Sequence, residues 1–195
     1  DSSTQRVFTS AINSDCDIAI IGGGFSGLWT AYHLLQRNKN LSISIFEAQR
    51  CGFGASGRNG GWASSDYPVY WSTLKKRYGA DRATQLFDAL VTSIDEIGEV
   101  ARTQAPQAHF VKSGTVMFAR NIAQEKRLKA NVDSSHHWLS ASELKKLINV
   151  QSAQGGLFNP HCATVNPMGL VDGLVSALQR SGVSIFEGTY ATRVD

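Results

Sequence analysis

Three glycines and one glutamate have the residue types and the spacing needed to bind a dinucleotide. The glycines, at positions 22, 24 and 27, follow the pattern G-x-G-x-x-G, and Glu47 lies about 20 residues after the last of them. Gly22 would permit a tight turn, Gly24 would let a pyrophosphate approach the backbone, and Gly27 would let a helix pack closely. The carboxylate of Glu47 could accept hydrogen bonds from ribose hydroxyls, which favours a ribose without a 2′-phosphate.

The elements that must position these residues follow the order strand, turn, helix, strand. Residues 18–21 are apolar, the residues after Gly27 have a helical apolar pattern, and residues 42–46 favour a second strand. The N-terminus of the helix would offer N–H groups and a partial positive charge to phosphates. We therefore interpret the motif as a dinucleotide-binding fingerprint and not as the glycine turn of an ordinary βαβ unit.

The composition is that of a globular chain and excludes several classes of function. The 195 residues are 42% hydrophobic, and a net charge of +3 is spread along the chain without a basic patch, which argues against nucleic acid as a partner. No apolar run reaches the length needed to span a bilayer. The three cysteines, Cys16, Cys51 and Cys162, are widely spaced and odd in number, which predicts reduced thiols and a cytoplasmic protein.

A second motif, CGFGASGRNGGW, occupies residues 51–62. Its five glycines could let a loop approach a large flat ligand and surround it with N–H donors. Ser56 and Asn59 would add polar side chains. The alternative is a flexible surface loop without a ligand.

Three stretches carry a resemblance to a known family: IIGGGFSGLWTAYHL, IFEAQRCGFGASGRNGGW and GGLFNPHCATVNPMGLVDGL. They resemble the FAD-dependent amine and amino-acid oxidoreductases of the glycine/D-amino-acid oxidase (DAO) superfamily, over about residues 17–195. The GASGRNGG loop is most similar to the gamma-glutamylputrescine oxidase-like branch. The resemblance implies an α/β fold, with a Rossmann-like FAD-binding domain of the glutathione-reductase type and an inserted α+β substrate domain. This chain would hold the N-terminal part.

The resemblance also implies which residues contact FAD. The pyrophosphate would be held by Gly22, Gly24, Phe25, Ser26 and Gly27. The adenosine ribose would be bound by Glu47, with Ala48 on the adenine side. The path towards the isoalloxazine would be lined by Gly54, Ala55, Ser56, Gly57, Arg58, Asn59, Gly60 and Gly61. The backbone of Val194 would meet the adenine. No catalytic residue and no metal ligand is assigned within the chain.

The activity implied by the resemblance is oxidation of a C–N bond in a small amine or amino acid. Hydride would pass from the carbon to flavin N5, water would hydrolyse the imine, and O2 or another acceptor would reoxidise the flavin. Relatives are about twice as long, so the C-terminal remainder of the protein would be needed. One alternative is a non-catalytic flavin-binding subunit or module of a larger assembly. Another is an NAD-linked dehydrogenase that uses the first motif alone, which the glycine-rich loop opposes.

The pattern along the chain predicts the domain organisation. We expect a polar tail at 1–16, the first part of the FAD-binding domain at 17–79, the start of the inserted substrate domain at 80–155 and the second FAD-binding part at 156–195. Within these, we expect a helix over 81–103, a capping-box helix start at Ser140, and a turn at Gly155 and Gly156. A loop over 159–166 and a strand from residue 191 complete the prediction.

Other residues of types that could ligate a metal, act in catalysis or bind an amine are better explained by structural roles. We interpret His136 and His137 as surface histidines, because no further ligand stands at a metal-site spacing. Adjacent residues do not form a nucleophile–base pair, so we place His161 and Cys162 in a loop. The aromatic residues after the glycine loop could line an amine-binding cavity, although packing is the better interpretation; they are Trp62, Tyr67, Tyr70 and Trp71.

Overall fold

The computed structural model describes residues 15–69, 71–132 and 135–193, which form two compact units. The first unit comprises the described residues up to Gly61, the segment Val100–His109 and the residues from Asn166 onward. The second unit comprises Trp62–Glu99 and Phe110–Val165. These bounds differ from those that we expected at 80 and 156, because residues 62–79 and 156–165 contribute strands and helices to the second unit. The assignment of cofactor and substrate roles to the two units stays a prediction.

The helices and strands alternate along most of the chain. In chain order they are β1 (Ile18–Ile21), α1 (Phe25–Arg37), β2 (Ile43–Phe46), α2 (Ala55–Arg58), β3 (Trp62–Ser64), α3 (Trp71–Tyr78), α4 (Ala80–Gln104), a 3-10 turn (Pro106–Ala108), β4 (Thr115–Ala119), α5 (Ile122–Lys129), β5 (His137–Ser140), α6 (Ala141–Leu147), β6 (Gly155–Asn159), β7 (Cys162–Thr164), α7 (Pro167–Arg180) and β8 (Ser184–Phe186).

The first unit is built on a parallel sheet with the strand order β1-β2-β8. Ile45 in the central strand pairs with Ile20 on one side and with Ile185 on the other. Parallel neighbours need a crossover connection, which α1 supplies between β1 and β2, while α7 leads into β8. Both helices contribute fully buried side chains, among them Leu28 and Leu174.

Helix α7 packs very closely on the segment that follows α4. A Cβ on Gly169 would overlap the carbonyl oxygen of Gln107, and one on Gly173 would overlap Ala105 Cβ. Ala105 and Ala108 are themselves fully buried. Small residues on both sides therefore allow this contact.

Strand β1 is paired on one side only within the described part of the chain. Its pattern alternates between half-buried and exposed residues, and the side chain of Ile21 is 59% exposed. The strands of a parallel sheet are usually covered on both faces. This apolar strand is thus the least covered element of the first unit's sheet.

The second unit contains an antiparallel sheet in the order β4-β6-β5 and a two-stranded pair of β3 with β7. The expected helix over 81–103 is confirmed as α4. The capping box at α6 is also confirmed, since Ser140 Oγ accepts the Glu143 N–H at 3.3 Å and the Glu143 carboxylate accepts the Ser140 N–H at 2.7 Å. No helix in the described part of the chain combines the length and apolarity needed to cross a membrane.

Three of the local predictions are wrong. Gly155 and Gly156 begin strand β6 instead of forming a turn, because Trp138 and Val116 from the neighbouring strands fill the space that side chains would need there. The expected loop over 159–166 contains β7, which is held by pairing with β3. Residues 191–193 are not in a strand, and residues 194 and 195 lie outside the described residues.

Candidate cofactor site

The turn between β1 and α1 requires glycines, either for backbone conformation or for lack of space. Gly22 has a φ of +103°, a region that favours glycine. A Cβ on Gly27 would overlap the Gly22 carbonyl oxygen and lie 3.2 Å from Ile20 Cγ2, so the first turn of α1 packs directly on the strand and the turn. This geometry confirms the tight turn at Gly22 and the close helix packing at Gly27 that the sequence predicts.

The N-terminus of α1 presents backbone donors. Gly24 is the N-cap residue and supplies no side-chain cap, and the first turn contains no acidic residue. Within residues 15–69, 71–132 and 135–193, no acceptor is hydrogen-bonded to the N–H groups of Gly24, Ser26 and Gly27. Unsatisfied donors and the helix dipole together favour an anion at this end of the helix.

The carboxylate of Glu47 lies beside the turn at the end of β2. Its Oε2 accepts a hydrogen bond of 2.7 Å from the Gly23 N–H, and its Oε1 accepts one of 2.9 Å from the Gln49 N–H. An ionised carboxylate has about four acceptor positions, so two remain for other donors such as ribose hydroxyls. Ala48 is exposed beside it.

The glycine-rich loop after β2 contains the single-turn helix α2 and reaches the N-terminus of α1. Ser56 Oγ accepts a hydrogen bond of 2.9 Å from the Phe25 N–H. The side chains of Arg58 and Asn59 are used within the loop: Arg58 Nε donates to the Phe53 carbonyl at 2.6 Å, and Asn59 Nδ2 donates to two loop carbonyls. These two side chains thus shape the loop, while Ser56 connects it to the turn.

The loop glycines differ in their surroundings. A Cβ on Gly54 or Gly60 would meet no atom within 4 Å, which leaves open space at these positions. A Cβ on Gly57 would overlap the Gly52 carbonyl oxygen, so this glycine is required by packing. Gly61 is buried at the end of the loop. The predicted adenine contact at Val194 lies outside the described residues.

The structure adds three residues that the sequence analysis did not select: Gly23, Cys51 and Glu187. A Cβ on Gly23 would lie 2.5 Å from the buried Cys51 Sγ, and Glu187 Oε1 accepts the Cys51 N–H at 2.7 Å. The run of three glycines at 22–24 exceeds what the fingerprint requires and could have indicated Gly23. No local signal marks Glu187, because its partner is 136 residues away.

In the second unit, His136 is not a surface histidine. Its side chain is 17% exposed, and Nε2 lies 3.1 Å from Asp66 Oδ1, which also accepts a hydrogen bond from Asn159 at 2.9 Å. The hydrogen bond from His136 holds the pKa of Asp66 below its usual value, although partial burial opposes this shift. His137 is exposed, as predicted.

The pair His161–Cys162 shows no arrangement for nucleophilic catalysis. Cys162 is buried in β7, where its Sγ accepts a hydrogen bond from the indole N–H of Trp62. The Nδ1 of His161 is buried and has no hydrogen-bond partner in the part of the chain that the structure describes. Trp71 packs edge-on against Phe87. Among the described residues, no group of three or more His, Cys, Asp or Glu side chains could hold a metal ion.

The other aromatic positions after the glycine loop differ in exposure. Trp62 is 61% exposed, and Tyr67 is exposed as well. Tyr70 lies outside the described residues. An amine-binding role for Trp62 and Tyr67 therefore remains a prediction.

A parallel βαβ unit with a glycine turn, an uncapped helix N-terminus and a carboxylate after the second strand is the architecture of dinucleotide-binding domains. A family model described as "FAD dependent oxidoreductase", the DAO family, matches residues 17–195, and the chain belongs to this family.

Two curated relatives and one solved structure illustrate the relationship. Gamma-glutamylputrescine oxidoreductase of Escherichia coli K12 is 27% identical over 192 residues, which covers 92% of this chain and 43% of the relative. The probable oxidoreductase OrdL of Haemophilus influenzae is 31% identical over 179 residues, covering 88% and 41%. Glycine oxidase from Bacillus cereus ATCC 14579 has the same fold, with a TM-score of 0.68 at 20% identity, covering 93% of this chain and 49% of that chain. The chain thus spans less than half the length of these relatives.

Proposed function

We propose that this chain forms the dinucleotide-binding part of an FAD-dependent enzyme that oxidises the C–N bond of an amine or amino acid. The observation that carries the proposal is the turn at residues 22–27. There, N–H donors at the N-terminus of α1 that have no acceptor among the described residues follow Gly23, whose own N–H is hydrogen-bonded to the Glu47 carboxylate. A diphosphate with an attached ribose matches this set of donors and acceptors. Membership of an FAD dependent family supports FAD as the dinucleotide.

The chain's own residues would bind and orient the cofactor. The N–H groups of Gly24, Ser26 and Gly27 would donate to the pyrophosphate, and the free acceptor positions of Glu47 would receive the ribose hydroxyls. Residues 54–61 would follow the cofactor towards its flavin half, with Gly54 and Gly60 leaving space for close approach. Bound FAD would supply the acceptor for the hydride removed from the carbon that carries the nitrogen.

The names of two relatives support the substrate class. Gamma-glutamylputrescine oxidoreductase and glycine oxidase are both named for substrates that contain an amine nitrogen. We therefore propose a small amine or amino acid as the substrate, and O2 or another electron acceptor as the oxidant that completes the cycle.

The test is the absorption spectrum of the full-length gene product. We expect flavin bands near about 370 and 450 nm, and anaerobic loss of the 450 nm band when one of a series of amino acids, monoamines or diamines is added. Absence of flavin bands after incubation with FAD would reject the cofactor. Bands that no amine or amino acid bleaches would instead indicate a non-catalytic flavin-binding module.

A further inference from the structure

The carboxylate of Glu187 connects the end of β8 to the beginning of the glycine-rich loop. Its Oε1 accepts a hydrogen bond of 2.7 Å from the backbone N–H of Cys51, a fully buried residue. The next N–H along the chain, that of Gly52, donates to the Gly23 carbonyl at 3.0 Å. Glu187 therefore holds the loop at the point where it contacts the turn between β1 and α1.

The backbone that carries Glu187 is itself fixed to the end of β2. Three backbone hydrogen bonds of 2.7–2.9 Å tie residues 186–189 to residues 47–49. The rings of Phe46 and Phe186 stack with their centroids 5.2 Å apart just before this contact. A side chain on such a rigid support can set the position of a loop that would otherwise depend on its own flexible glycines.

We propose that Glu187 is a positioning residue for the cofactor site, acting through Cys51 and Gly52 to place residues 54–61 beside the flavin half of FAD. This inference rests on the proposed function. The hydrogen bond from the Gly23 N–H to Glu47 does not involve the loop, so it is kept when Glu187 is removed. Among the described residues, the Phe25 N–H is bonded to the loop through Ser56 Oγ, whereas the N–H groups of Gly24, Ser26 and Gly27 make no hydrogen bond to it. Removing Glu187 should therefore weaken the contacts with the flavin half of the cofactor and not those with the ADP half.

The experiment compares FAD with ADP, which contains the ribose and two phosphates but no flavin. Apoprotein prepared from the full-length gene product is titrated with each ligand. For Glu187→Ala we expect FAD affinity to fall about tenfold, the usual effect of losing one charge-assisted hydrogen bond, while ADP affinity stays within about twofold. Glu187→Gln keeps a carbonyl acceptor for the Cys51 N–H and should restore most of the FAD affinity.

Matched variants separate this role from general destabilisation. Glu47→Ala should weaken the binding of FAD and of ADP alike. Asp88→Ala, at an exposed position of α4, should change neither affinity. If Glu187→Ala does not fold, Glu187→Asp withdraws the carboxylate by one methylene and should show the same selective loss. Equal losses for both ligands, or unchanged FAD affinity, would overturn the inference. A wild-type apoprotein that bound neither ligand would overturn the proposed function itself.

Discussion

Individual glycines in the turn after β1 exclude side chains for different physical reasons. A Cβ at position 23 would meet the thiol of Cys51 at 2.5 Å, one at position 24 would meet the hydroxyl of Ser56 at 2.9 Å, and one at position 27 would overlap backbone. The two motifs of the sequence are therefore in direct contact with each other. A substitution in either motif should affect both.

Gly24→Val should abolish retention of FAD. The branched side chain would collide with Ser56 Oγ and occupy the space in front of the N-terminal donors of α1, where we propose that the pyrophosphate lies. The measurement is the ratio of flavin to protein in the purified variant, with circular dichroism as a check on folding. A folded variant with stoichiometric flavin would show that the phosphates lie elsewhere.

Glu47→Ala should weaken FAD binding by about 1–3 kcal/mol, the range for removing hydrogen bonds to a charged acceptor. The loss would include the proposed ribose contacts and the hydrogen bond that fixes the Gly23 N–H. Titration of the apoprotein with FAD measures the effect. Unchanged affinity would exclude Glu47 from ribose binding.

Asp66→Asn should lower stability near neutral pH, and this difference should shrink in acid. Because the pKa of Asp66 is lowered in the folded protein, its contribution is complete above the unfolded pKa of about 4 and is lost as the pH falls through the lower folded value. Urea unfolding of both proteins between about pH 6 and 2.5 tests this, with Asp88→Asn as the matched loss of an exposed carboxylate. A difference that does not change with pH would contradict the assignment.

Among the elements, α7 depends most on close packing. Nearly every residue on one side of it is buried, and two of them, Gly169 and Gly173, lie against the backbone of residues 104–108. The helix begins at Pro167, with Asn166 as a cap whose side chain accepts the Gly169 N–H at 3.0 Å. Its position is thus fixed at the start and along its buried face.

Gly173→Ala should destabilise the first unit by about 1–3 kcal/mol, because the added methyl group overlaps Ala105 and forces the backbones apart. Alanine favours a helix more than glycine does, so propensity alone predicts the opposite sign. Chemical denaturation measures the free energy of unfolding. Ser176→Ala, at an exposed position of the same helix, should stay within about 0.5 kcal/mol of the wild type.

The elements that sequence could predict are those with a local signal. The spacing of glycines and Glu47 locates β1, α1 and β2, apolar periodicity locates α4, and the Ser140–Glu143 pair marks the start of α6. Strand β6 could not be predicted, because it begins with Gly155 and Gly156. Only glycine fits at these positions, since Trp138 and Val116 on neighbouring strands fill the space of a side chain. Glu187 could not be predicted for the same reason, because its hydrogen-bond partner, the Cys51 N–H, is 136 residues away in the chain.

For the molecule as a whole, the first unit is assembled from three separate segments of the chain. Its sheet leaves β1 without a second neighbour among the described residues, and apolar side chains such as Ile21 and Phe53 are exposed. Parallel strands of this apolar type are normally buried. The chain therefore presents surface that is suited to further contacts.

The 195-residue chain expressed alone should bind the dye ANS and should bind FAD weakly, because the exposed strand and its neighbours lack the cover that parallel sheets need. Dye fluorescence, sedimentation and flavin absorbance would measure this. Co-expression with the remainder of the gene product should reduce the dye signal. A monodisperse yellow monomer that unfolds cooperatively would contradict the expectation and favour a self-contained flavin-binding module.

The pairing of β2 with β8 has a consequence for synthesis of the protein. Ile45 and its partner Ile185 are separated by about 140 residues, whereas β1 and β2 meet within about 25. At about 5–20 residues per second, the ribosome needs on the order of ten seconds to deliver β8 after β2 has emerged. During that interval one edge of β2 has no strand beside it, while the residues of the second unit up to Val165 are synthesised. The first unit, although it contains β1 and β2, is therefore the later of the two to assemble its described strands.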